Sequence, residues 1–266
     1  MPEAPTLLEG PAPGVEGPSR SLRDYGSWPA VILLLLAALA VAFAASAVLV
    51  PVLLLAITGS GPATRQSVMS DPWLFFVFIL IEDLAFVLVV YVALIRSGVS
   101  SWRDMGLRDV RRGSVLRGLG WGLLFIAVSL ALSLVLRAFG FDQAQAQQFP
   151  VEHAGLAGRI AVVVAGCVFA PVAEEIFFRG FAFRAMKARK GLMRGLFYSS
   201  CLFGVIHITS TPFDLAGAVA IFIPITAGAM ILATAYQRSG DLWTSIVAHA
   251  ANNVFAFTLL FLSLGS

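Results

Sequence analysis

Charge is what this chain has least of. Of its 266 residues only 12% are Asp, Glu, Lys or Arg, against roughly 25% in soluble domains. Histidine occurs three times and cysteine twice. Cys167 and Cys201 stand in apolar segments and belong to no Cys-x-x-Cys or Cys/His cluster. That excludes a disulfide framework and a zinc knuckle, and leaves them as small buried hydrophobes. No His-Glu-x-x-His occurs, so the usual helical zinc signature is missing. The apolar runs lack the period-two alternation of a membrane barrel. They also lack an internal repeat, which argues against two inverted halves.

What is present is hydrophobicity: 59% of the residues are apolar and the mean hydropathy is +0.88. Continuous runs near 20 residues indicate membrane-spanning helices. Residues 1–27, rich in Pro, Gly and Glu, are expected to be a disordered tail, and 28–266 the transmembrane domain. The first run is too long for a signal-peptide core and lacks a basic segment directly before it. Seven spans follow, at about 28–57, 72–95, 115–139, 160–183, 195–208, 215–236 and 242–264. The fold class is therefore all-α, a polytopic transmembrane helical bundle. Pro51 is a candidate bend in the first span, and Pro224 and Gly228 are candidate breaks in the sixth.

The net charge of +3 and pI near 9.2 belong to the loops between spans, so they speak for orientation in the lipid bilayer and not for nucleic acid. All the Lys and Arg except Arg65, Arg137, Arg159 and Arg179 fall on one side of this segmentation. The excess places the N-terminus in the cytoplasm and the C-terminus on the opposite side.

Three charges interrupt the fourth span: Glu174, Glu175 and Arg179. Ionisable groups at such depth mark a functional site unless they only pair with one another. At about 1.5 Å per helical residue, Glu174 lies about 14 Å from the basic end, His207 about 18 Å, and His249 and Asn253 about 10 and about 16 Å. Three helices thus bring polar groups to a similar level. Residues four apart share a helix face, so Glu175 can pair with Arg179, and His249 projects with Asn253. Glu174 points about 100° away from Glu175 and can face a cavity. A carboxylate there suits a general base for water, with His207 sharing the proton or fixing the water. His249 and Asn253 can donate to an oxyanion on a carbonyl oxygen. Together these groups describe amide hydrolysis.

The order Glu174-Glu175-x-x-x-Arg179, Phe203-x-x-x-His207, His249-x-x-x-Asn253 resembles the CPBP family, the CAAX-protease and bacteriocin-processing (Abi) proteins. The resemblance covers about residues 160–255. It implies an all-helical intramembrane endopeptidase, acting on a protein or peptide substrate, with a pocket open towards the cytoplasmic side. It also implies Glu174 and His207 as the water-activating pair, His249 and Asn253 as the oxyanion site, and Glu175 and Arg179 as supports. It does not imply one substrate.

No cofactor is required by these residues. Zinc remains an open possibility, with Glu174, His207 and His249 as candidate ligands and water in the fourth position. Two other classes fit the same polar groups: a proton-coupled transporter, and a non-catalytic membrane immunity or scaffold protein. A buried ion-pair cluster that only locks helices is the plainest alternative. Glu82 and Asp83, on the second span, are expected to serve as a partner of Arg179 or of another buried donor. Asn252 is expected to bond between helices, Phe177 and Phe178 to pack, and His153 to lie in a solvated outer loop.

Overall fold

A computed structural model describes residues 21–58, 70–141, 149–152, 154–208 and 215–264. The expectations for residues 1–20 and His153 lie outside these. Seven helices account for the bundle: α1 (Trp28–Thr58), α2 (Pro72–Val90, continued by a π turn at Tyr91–Ile95), α3 (Arg112–Ala138), α4 (Leu156–Lys190), α5 (Leu192–Ile208), α6 (Leu215–Ser239) and α7 (Leu242–Leu264). No strand occurs among the described residues. Six of the helices are long and apolar enough to cross a membrane, and α5 is a shorter apolar helix. The chain is an integral, multi-pass helical membrane protein.

The ends of these helices follow local chemistry. The Asp71 side chain accepts from the backbone N–H groups of Trp73 and Leu74, both at 2.9 Å, with Pro72 at the first helical position. Asp241 caps α7 in the same way, accepting from Trp243 N–H at 3.1 Å and the Thr244 hydroxyl at 3.1 Å. Gly191, at φ +85°, supplies the break between α4 and α5 that a side chain would resist.

Three expectations change. The fourth span does not end at Phe183 but runs on as helix through Arg184–Lys190, so Arg184, Lys187, Arg189 and Lys190 lie on the last turns of α4 and not in a loop. Residues 24–26, assigned above to the tail, form one turn of 3-10 helix. There Gly26 is pressed so closely on Ala185 that a Cβ would overlap its carbonyl. Finally, α6 is unbroken at Pro224 and Gly228; Pro51 lies inside the single helix α1. The close packing of the Phe125 ring on Gly228 accounts for that glycine.

α1 lies along α2, α5 along α6, and α3 against both α6 and α7, with α4 passing between them. The main core surrounds the C-terminal half of α4. Phe177, Phe178, Phe181 and Phe183 are all buried there, with Phe86 of α2 at 4.9 Å from Phe177 and Phe203 of α5 at 4.8 Å from Phe178. Such aromatic pairs add about 0.5–1.5 kcal/mol each beyond burial.

The loop between α2 and α3 closes the basic end of the bundle. Met105 is fully buried, its carbonyl accepts from the Tyr236 hydroxyl at 3.0 Å, and Gly106 accepts from Leu242 N–H at 3.2 Å. Arg184 donates to the Ser100 hydroxyl at 3.1 Å, and the Trp243 indole donates to the Arg108 carbonyl at 2.6 Å. Met105 and the aromatic rings of α4 pack together at that end.

Candidate active site

The site begins with an irregularity in α4. Its helix is α over Leu156–Val164, π over Ala165–Phe169, α over Ala170–Glu175, π over Ile176–Phe183, and α again to Lys190. Pro171 is the local cause of the first π segment, because it has no N–H for the preceding turn. The Ala170 N–H bonds to the Ala165 carbonyl instead of the Gly166 carbonyl, and Pro171 has nothing to donate to Gly166. Asn253 of α7 fills that gap, donating from Nδ2 to the Gly166 carbonyl at 2.7 Å. A wide turn of one helix is thereby tied to the motif residue of another.

Glu174 and Glu175 end the short α segment between the two π stretches. Their side chains have different surroundings. Glu175 is fully buried, and its Oε1 accepts from Arg179 Nη1 at 2.7 Å and from His249 Nδ1 at 3.0 Å. Arg179, equally buried, also donates from Nη2 to the Ala229 carbonyl of α6 at 3.1 Å and lies over the Phe203 ring at 4.7 Å. This cluster joins α4, α5, α6 and α7. Glu174 retains 16% side-chain exposure, and its Oε2 is 3.8 Å from His249 Nε2, beyond hydrogen-bond length. That oxygen has no hydrogen-bond partner among the described residues.

His249 thus stands between the two glutamates, one on each ring nitrogen. His207 enters from α5, with its ring 4.5 Å from Phe203, a ring that also lies 5.8 Å from His249. Its Nδ1 is 2.7 Å from the Phe203 carbonyl, an acceptor, so Nδ1 carries the proton and the neutral ring has its lone pair on Nε2. His207 lies within electrostatic reach of His249 and Arg179.

The structure brings Glu174, Glu175, Arg179 and His249 into direct proximity and joins His207 to them through Phe203. Asn253 is placed by Gly166 and makes none of its hydrogen bonds to these five residues. Asn252 does not bond between helices as expected; it donates to Asn253 Oδ1 at 3.4 Å. Phe177 and Phe178 pack as expected. Arg179 is satisfied by Glu175 and Ala229, so neither Glu82 nor Asp83 is its ion-pair partner. Asp83 is buried, its Oδ2 lacks a partner among the described residues, and it lies with Glu82 within electrostatic reach of Glu174.

Zinc can be tested against this donor set. Both histidines engage Nδ1, on Glu175 and on the Phe203 carbonyl, so only Nε2 of each is left for a metal, the pattern a ligating imidazole also shows. Among the described residues no three His, Cys, Asp or Glu side chains gather as metal ligands. Glu174, His207 and His249 therefore do not fit a three-ligand zinc site in this arrangement.

Comparison with protein families finds that residues 156–255 fit the family described as Rce1-like, type II CAAX prenyl endopeptidase. The matched stretch runs from the start of α4 into α7 and contains all six motif residues. The resemblance to CAAX-type endopeptidases read from three short motifs is thus shown over this part of the chain. No curated protein and no solved structure matches the chain.

Proposed function

We propose, for a chain that is Rce1-like over residues 156–255, that it hydrolyses a peptide bond of a protein or peptide substrate within the membrane. The observation that carries this reading is the unequal treatment of the two glutamates. Glu175 is held through Oε1 by both Arg179 and His249, and only its Oε2 is left over, whereas Glu174 has no such brace: its Oε2 stands without a partner among the described residues beside the same histidine.

In this mechanism Glu174 takes a proton from water, and the hydroxide attacks the substrate carbonyl carbon. His207 accepts a hydrogen bond from the same water through Nε2, the nitrogen that its Nδ1 bond to Phe203 leaves unprotonated. The oxyanion is stabilised by Asn253 through the N–H of its amide that does not serve Gly166. His249 can join it through Nε2 only when the ring carries both protons, since Nδ1 already donates to Glu175. Glu175 and Arg179 hold that imidazole in place. The proton on Glu174 then passes to the amine nitrogen as the tetrahedral intermediate collapses.

The substrate is a membrane-associated protein or peptide. A prenyl group on it is not required by any residue of the site. The basic loops favour a cytoplasmic N-terminus and an outward C-terminus. The decisive experiment compares cleaved peptides from cells carrying the wild-type chain with those from cells carrying Glu174→Ala. Peptides present only with the wild type would identify substrates; full activity of purified Glu174→Ala on a confirmed substrate would refute the mechanism.

A further inference from the structure

Helices α3 and α6 leave a crevice of about 400 Å³, lined by Trp121, Leu124, Met230, Ile231, Thr234 and Arg238. It opens on the lipid-facing side, where Leu124 is 45% and Met230 37% exposed. The sequence builds both walls by helical spacing. On α6, Met230, Thr234 and Arg238 follow one another at intervals of four and share a face. On α3, Arg117 stands four residues before Trp121 on the same face. Each wall is therefore apolar along its length and carries an arginine at the same, basic end.

The cations at that end are not consumed by the protein. The Arg238 guanidinium lies over the Trp121 ring at 5.8 Å, and none of the ion pairs among the described residues involves it. Arg117 is 54% exposed and meets Asp241 only at 3.9 Å, and Asp241 is occupied as the cap of α7. The Thr234 hydroxyl is satisfied by the Met230 carbonyl at 2.7 Å, so the trough makes no polar demand of its own.

An apolar trough facing hydrocarbon takes an acyl chain, and a cation on an aromatic ring at its mouth takes an anionic headgroup. We propose that this crevice binds an anionic phospholipid. Its chain lies along Leu124, Met230 and Ile231, and its phosphate sits against Arg238, with Arg117 beside it. The site is independent of the Glu–His cluster and of the reading given to it.

The test is a titration of the purified full-length chain, in neutral detergent, followed by native mass spectrometry. Phosphatidylglycerol, phosphatidylcholine of the same acyl chains, and glycerol phosphate are the three probes. One cation near an anionic headgroup contributes about 1 kcal/mol, a factor of about five, so phosphatidylglycerol is expected to be held about fivefold tighter than phosphatidylcholine. Arg238→Gln should remove the preference and Arg238→Lys should keep it. Thr234→Trp, which fills the trough, should weaken binding of both lipids. Equal retention of the two lipids by the wild type would overturn the proposal. So would an undiminished preference in Arg238→Gln, unchanged binding in Thr234→Trp, or glycerol phosphate binding as tightly as the whole lipid.

Discussion

His249 donates its Nδ1 proton to Glu175 at 3.0 Å, on the same carboxylate oxygen that Arg179 reaches at 2.7 Å. One oxygen thus fixes a histidine from α7 and an arginine from its own helix. Next to it, Glu174 approaches the other ring nitrogen no closer than 3.8 Å. Adjacent residues of one type therefore differ in what they hold, and substitutions should separate them.

Glu175→Gln leaves Arg179 buried without a counter-charge. Breaking a buried pair by removing one partner costs about 3–5 kcal/mol. Glu174→Gln removes no hydrogen bond, so its stability should stay within about 1 kcal/mol of the wild type while turnover falls by about 10²–10⁴. Thermal unfolding in detergent and a cleavage assay on the same preparations measure both effects. Equal destabilisation of the two variants would refute the division between brace and base.

His207→Ala should lower kcat by about 10²–10⁴ if the ring helps to activate water. The residue is half-buried near the end of α5, and its bond to the Phe203 carbonyl is worth about 1 kcal/mol, so the fold should survive. Retained turnover in a folded variant would remove His207 from the mechanism.

The order of the helices was legible in the sequence because lipid imposes a simple rule: long apolar runs must satisfy their backbone internally as helices. The meeting of Glu174, Glu175, Arg179, His207 and His249 was legible too, because successive spans run in opposite directions and helical rise sets the depth of each residue from a shared end. The π segments of α4 were not. They depend on which carbonyls neighbouring helices can satisfy, and Pro171 was the one local sign. The bond from Asn253 to Gly166 follows from that irregularity, so a regular 3.6-residue helix could not forecast it. Nor could spacing foresee that His249 serves Glu175, since 74 residues separate them and only the packing of α7 on α4 brings them together.

Asn253→Ala tests two roles of one side chain. Loss of the bond to the Gly166 carbonyl should cost about 1 kcal/mol of stability, since that half-buried acceptor has no helical donor to fall back on. Loss of an oxyanion donor should lower kcat by about 10²–10³. Asn253→Asp removes both donor hydrogens while keeping the shape. If Asn253→Asp kept wild-type kcat on a confirmed substrate, the oxyanion role would be wrong, whatever the effect on stability.

Chelation addresses the donor set directly. With no three-donor group gathered among the described residues, turnover should be unchanged after exhaustive treatment with a zinc chelator. Activity lost to the chelator and restored by stoichiometric zinc would show that Glu174, His207 and His249 rearrange to bind metal.

The packing of α5 on α6 at Gly204 offers a test of how precisely His207 is placed. A Cβ on Gly204 would collide with the Thr226 hydroxyl oxygen and come within 3.0 Å of the Phe222 ring. Overpacking of this kind costs about 1–3 kcal/mol. Because Gly204 is one turn before His207, pushing the helices apart should also displace the imidazole and lower kcat. The Thr226 hydroxyl has no hydrogen-bond partner among the described residues, so Thr226→Ala alone should cost little. In the double variant Gly204→Ala/Thr226→Ala the new methyl occupies the space that the hydroxyl vacates. Stability and kcat should therefore both recover relative to Gly204→Ala, and a double-mutant cycle measures the coupling. Strictly additive losses would mean that the contact between Gly204 and Thr226 does not position His207.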